Sequence, residues 1–122
     1  MHRRQFLVAS GLGLAGLTFG KPVPGALAET ICHGGFISAL ADSAFAFACN
    51  SYDELTVASG FAIDFLAPAR KDDVLTARCV EVSKAGRTGV YDTDVVNQRE
   101  ERIAIFRGRS YTLKGKPAVT LP

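Results

Sequence analysis

The chain has 122 residues, 48% of them apolar, enough for one small domain with a modest core and too few for two. Its formal charge of +2 originates at the N-terminus: past residue 28, 11 basic side chains face 12 acidic ones, so the basic footprint of a nucleic-acid binder is absent. Three cysteines, Cys32, Cys49 and Cys79, show neither CxxC nor Cys/His zinc spacing. Reduced structural thiols of a cytosolic protein are expected, with no disulfide framework and no metal site. His33 follows Cys32 directly, and adjacency in sequence rarely gives the geometry of a nucleophile and its base.

In chain order, the opening MHRRQFLVASGLGLAGLTFGKPVPGALAE resembles a twin-arginine export signal, with Arg3-Arg4 ahead of Phe6-Leu7 and an A-x-A site at Ala26-Leu27-Ala28. Its apolar run, Leu7 to Phe19, is too short and glycine-rich for a membrane-spanning helix, so no membrane partner is expected. Residues 1–30 read as a segment outside the domain, residues 31–114 as the domain, and residues 115–122 as a tail frayed from Gly115 onward. Export and a mis-assigned start remain open for that first segment.

From Gly34 to about Asn50 the side chains Phe36, Ile37, Leu40, Ala41, Ala44, Phe45 and Ala48 follow helical spacing. The other side is also small or apolar, apart from Asp42 and two serines, so the helix is expected to be enclosed on most sides. Beyond Asn50-Ser51-Tyr52-Asp53-Glu54 the composition turns β-branched and aromatic. Strands are predicted over Leu55–Leu66, Val74–Ser83, Thr88–Asn97 and Arg102–Leu113. Short polar connections at Lys84-Ala85-Gly86-Arg87 and Gln98-Arg99-Glu100-Glu101 make the last three an antiparallel meander. One buried helix and an antiparallel sheet is an α+β plan in which the sheet curls around the helix. Four strands leave exposed edges, which predicts pairing with another subunit.

A carboxylate in so apolar a helix is costly unless it is hydrogen-bonded, neutralised or opened to a cavity. Asp42 therefore has two readings, a structural bridge or a working group. His33-Gly34-Gly35 stands where the helix begins, and a helix N-terminus offers unpaired N–H groups with partial positive charge. Glycines there admit a carbonyl close to the backbone, an oxyanion-binding corner about two turns before Asp42. A polarised carbonyl near a carboxylate is the minimum equipment for thioester hydrolysis, because a thiolate leaves with little acid assistance.

HGGFISALADSAFAFACNS, then VASGFAIDFLAPA, LTARCVEVSKAGRTGVYDTDVVNQ and IAIFRGRS, together resemble the hotdog-fold acyl-CoA thioesterases of the phenylacetate-degradation type, over roughly Cys32 to Lys114. The resemblance implies a long helix wrapped by a curved antiparallel sheet, homodimers that share a continuous sheet and associate into homotetramers, and active sites at subunit interfaces. It implies hydrolysis of aryl-acetyl-CoA thioesters of the phenylacetyl or hydroxyphenylacetyl type, in the cytoplasm, with no cofactor because coenzyme A is part of substrate and product.

Matched by position, Asp42 falls on the catalytic carboxylate, Gly34 on the glycine whose N–H polarises the thioester carbonyl, and His33 on the neighbouring motif histidine. His33 is read either as a shaping or packing residue or as a direct participant. Substrate-binding candidates are Gly35, Ser59 on the strand, Pro68 and Ala69 beside the pantetheine arm, and Lys84, Gly86 and Arg87 where the coenzyme A nucleotide is met. The family places a strand before the HGG, and an asparagine where Leu27 stands here; both are expected to be missing. That opens a second reading, a non-catalytic acyl-CoA-binding hotdog module impaired by loss of its N-terminal strand. A hotdog hydratase would need a downstream histidine, and none follows His33.

Overall fold

The computed structural model describes residues 5–10 and 31–119. Its helix α1 spans Gly34–Cys49, and its strands are β1 Gln5–Ser10, β2 Thr56–Phe65, β3 Leu75–Ala85, β4 Thr88–Val96 and β5 Arg102–Thr112. These strands join one antiparallel sheet in the order β1-β3-β4-β5-β2, so β3, β4 and β5 form the expected meander.

The helix seats on the sheet through small residues. Ala41, Ala44 and Ala48 are fully buried and let the backbone come close, while Ile37, Phe45 and Cys49 fill the space between. Phe45 lies 5.5 Å from the Tyr91 ring and 5.8 Å from the Phe106 ring, centroid to centroid. It also rests on Gly108: a Cβ added there would meet three carbons of the ring at 2.9 Å. Strand alternation supplies the other half of the core, with Cys79, Tyr91, Val95, Ile103 and Phe106 turned inward.

Polar side chains close the connections. Asn50 ends the helix by donating to Ala46 O at 2.9 Å, and the same amide exchanges hydrogen bonds with the backbone of Thr56, which starts β2. Buried Asp73 accepts from the Arg70 N–H at 2.8 Å and from the Gln98 amide at 2.9 Å, tying the loop after β2 to the β4–β5 turn. These hydrogen bonds, chiefly the one from Arg70, hold its carboxyl below the usual aspartate range.

Four expectations change. The strand thought missing is Gln5–Ser10, which pairs with Leu75–Val80 at the sheet edge. Phe6-Leu7-Val8 carries the composition of a strand, and the open edge of β3 offers it a partner. The β3–β4 connection tightens to a two-residue turn in which Gly86, at φ +59°, takes the left-handed conformation. The tail stays attached past Gly115, because the Leu55 N–H donates to Lys116 O at 2.8 Å. Finally, the helix is covered on one side only: Ala39, Ser43, Ala46 and Phe47 are exposed in the single chain. Leu27 and the twin-arginine motif lie outside the described residues.

A side chain at Gly108 must displace Phe45. Gly108→Val is expected to lower unfolding free energy by about 1–3 kcal/mol in urea denaturation. Asp73→Asn should cost a similar amount near neutrality. Because the folded pKa is depressed, that contribution is present above the unfolded value of about 3.9 and disappears as pH falls through the folded one. The difference between wild type and Asp73→Asn should therefore stay constant above about pH 5 and shrink as pH falls below about 3.9.

Candidate active site

The helix N-terminus is built by its own cap. His33 is extended (φ −65°, ψ 134°), and its Nδ1 accepts the Gly35 N–H at 3.0 Å. An accepting Nδ1 puts the ring proton of the neutral imidazole on Nε2. The Phe36 N–H turns back to His33 O at 3.0 Å. Gly34 N–H meets no acceptor among the described residues, so of the first amides of the helix it is the one left available to a ligand.

The loop after β2 lies against the same corner. The Cys32 N–H donates to Ala69 O at 2.8 Å, and Ile31 bridges Arg70, which brings buried Ala69 and exposed Pro68 beside the helix start. Phe65, at the end of β2, reaches over Gly34: a Cβ built there would meet its ring carbons at 2.8–3.3 Å. Phe65 stands within VASGFAIDFLAPA with no role read from the sequence, because nothing in the chain's spacing relates it to Gly34.

Asp42 is partly buried on the flank of α1, the helix's single charged side chain, and makes no hydrogen bond or ion pair among the described residues. Eight residues separate it from Gly34, a rise of about 12 Å along the axis. One chain therefore does not bring the Gly34 amide and the Asp42 carboxylate onto a single carbonyl, although both were read from one helix.

The remaining candidates are dispersed. Ser59 is an exposed residue at a register shift of β2, and its hydroxyl donates to Arg109 O at 3.2 Å. Lys84, Gly86 and Arg87 gather at the opposite end of the helix from Gly34. The Lys84 ammonium stands 4.8 Å from the centre of the Tyr52 ring, and Arg87 donates to the Tyr111 hydroxyl at 3.4 Å. Beneath them, Tyr52 and Tyr91 both donate to Glu81 Oε1, at 2.8 and 3.0 Å. Burial and the Glu81 carboxylate keep the Tyr91 hydroxyl protonated. Distance in sequence hid that network.

The cysteines form no site. Cys49 and Cys79 are buried and their thiols pushed up to about 11 by desolvation, which makes them inert near neutrality. Cys32 Sγ faces the backbone oxygen of His33 while the imidazole is occupied with Gly35, so the pair is not a nucleophile and its base. Among the described residues no three metal-ligating side chains cluster, and no helix is long and apolar enough to cross a membrane.

Comparison with known proteins identifies the family and the fold. Residues 29–104 match the family described as the thioesterase superfamily. Acyl-coenzyme A thioesterase PaaI of Escherichia coli (strain K12) is 48% identical over 84 residues, which are 69% of this chain and 60% of that protein. The chain thus spans about three fifths of the length of that curated relative. Among solved structures, the E. coli PaaI protein of the phenylacetic acid degradation operon superimposes with a TM-score of 0.78 at 38% identity, covering 92% of this chain and 75% of the other. The TT0310 protein of Thermus thermophilus gives 0.74 at 34% identity, covering 89% and 84%. With its hotdog architecture and a family match across most of the described domain, the chain belongs to the thioesterase superfamily.

Proposed function

We propose that this protein hydrolyses acyl-CoA thioesters, with aryl-acetyl groups of the phenylacetyl or hydroxyphenylacetyl type as its substrates. The observation that carries the reading is Asp42: a lone carboxylate in an apolar helix, with no partner among the described residues, is expensive to keep unless it works. The E. coli relative named for acyl-coenzyme A thioester hydrolysis supports the reaction class, and the operon named for the solved E. coli structure supports aromatic-acid catabolism as its setting. A cytoplasmic location fits that substrate class, and no cofactor is needed.

The helix dictates how the site is assembled. Gly34 and Asp42 stand about 12 Å apart along one axis, too far to serve one carbonyl. A second copy with its helix antiparallel would bring its Asp42 toward Gly34, and its β3–β4 turn toward the same end. The surface such a copy would cover is apolar and open: Phe47 and Leu66 are each more than half exposed. The active unit is thus a homodimer, with homotetramers as a further association. In it the Gly34 N–H of one chain polarises the thioester carbonyl. The partner's Asp42 either activates water or attacks directly to give an anhydride that water then opens. The C–S bond breaks, coenzyme A leaves as thiolate and is protonated, and the acyl group departs as carboxylate.

His33 orders the corner without entering the reaction. By taking the Gly35 N–H it leaves Gly34 as the free donor. The reading as a binding module without catalysis loses its main ground, since Gln5–Ser10 supplies the strand whose loss it assumed.

Asp42→Asn should lower thiol release from phenylacetyl-CoA by about 10²–10⁴-fold without changing the oligomer; full turnover by this variant excludes the role given to Asp42. Gly34→Pro deletes the N–H at the first helical position, where the backbone admits proline, and also displaces the Phe65 ring. Mixing it with Asp42→Asn should restore about a quarter of wild-type activity, because half of the random dimers carry one intact composite site. No recovery from verified mixed dimers would put both groups in one chain. His33→Ala should cost about 1 kcal/mol of stability and His33→Asn much less, with hydrolysis kept in the latter.

A further inference from the structure

Phe65 is half exposed, yet the end of its ring lies against Gly34. A phenylalanine that served only the core would be covered, as Phe45 and Phe106 are. Phe65 instead belongs to an open apolar lane along the inner face of β2. Phe61 stacks on Phe106 with centroids 4.9 Å apart and planes 26° apart. Ile63 pairs with Phe106 across the strands, and Phe65 ends the lane at the helix N-terminus. On the other side of that corner the His33 and Phe36 rings meet edge-on, 6.1 Å apart at 76°. The unpaired Gly34 amide thus sits between aromatic surfaces.

We infer that Phe65 selects the acyl group: its exposed ring face is the wall against which a planar aromatic acyl substituent packs once the thioester carbonyl is held by Gly34. This rests on the thioesterase reading above and adds the residue that discriminates among acyl groups. A flat ring gains an offset or edge-on contact with Phe65 that a straight alkyl chain of similar size does not. Glycine at position 34 serves both needs, since a side chain there would push the ring out of the corner. Phe65 touches the substrate beyond the reacting atoms, so its effect falls on discrimination among acyl groups.

The test compares kcat/KM for phenylacetyl-CoA and hexanoyl-CoA, by thiol release, in wild type, Phe65→Leu and Phe65→Tyr. Phe65→Leu should lower the phenylacetyl-to-hexanoyl ratio about threefold to tenfold, mainly through KM, while Phe65→Tyr keeps the wild-type ratio. Phe65→Met carries the same comparison if the leucine variant does not fold. An unchanged ratio, or an equal loss on both substrates, overturns the assignment, the latter by putting Phe65 on the thiol side or in the subunit contact. Wild type that hydrolyses neither thioester overturns the thioesterase reading itself and this inference with it, an outcome distinct from active wild type with an unaltered ratio.

Discussion

Phe45 rests directly on the backbone of Gly108, flanked by Tyr91 and Phe106, and this contact seats the helix on the sheet. Three alanines on the same face, all fully buried, set how closely the two layers approach. Because interiors pack at crystal-like density, neither the rotation nor the height of the helix can shift without opening a void or forcing a clash. The seating therefore fixes where the N-terminal amides emerge and which way the flank carrying Asp42 faces.

A helix held in this way acts as a ruler. Gly34 lies beside the loop at Ala69, the β3–β4 turn lies near the opposite end by Tyr52, and Asp42 stands between them. A rigid rise per residue keeps these groups apart within one chain, which is why the proposed site draws one group from each of two chains. The same constraint accounts for the uncovered apolar side of β2 and of the helix. A sheet of five strands curls around one face of a helix, and the side bearing Phe47 is left for another surface to cover.

The connections are tied by amides and carboxylates. Asn50 joins the helix end to β2, Asp73 joins the loop after β2 to the β4–β5 turn, and Asn97 accepts the N–H groups of Arg99 and Glu101 within that turn. Each satisfies backbone groups that the strands leave unpaired, at modest net stabilisation and with a high penalty for omission. The loop that Asp73 holds is the one that runs beside the helix N-terminus, so a structural hydrogen bond at one end of the sheet steadies the floor of the candidate site.

The β-branched and aromatic strand segments with their short polar connections, and the helical spacing from Gly34 onward, were legible because each pattern has one dominant physical cause, and the observed ends fall within about two residues of the expected ones. The first strand was not legible: Phe6-Leu7-Val8 carries strand propensity, but paired arginines ahead of it and glycines after it resemble an export signal, and the edge of β3 that it pairs with lies about seventy residues further along the chain. The identity of the chemical groups was likewise written in the chain, as a single carboxylate in an apolar helix and glycines at its start. Tertiary structure alone decided which helix amide is free, since that depends on the direction of the His33 ring, and that Phe65 overhangs Gly34, since that depends on where β2 ends against the helix. Sequence periodicity reports which face of an element is apolar; the distances between groups on different elements arise only when those faces are packed together.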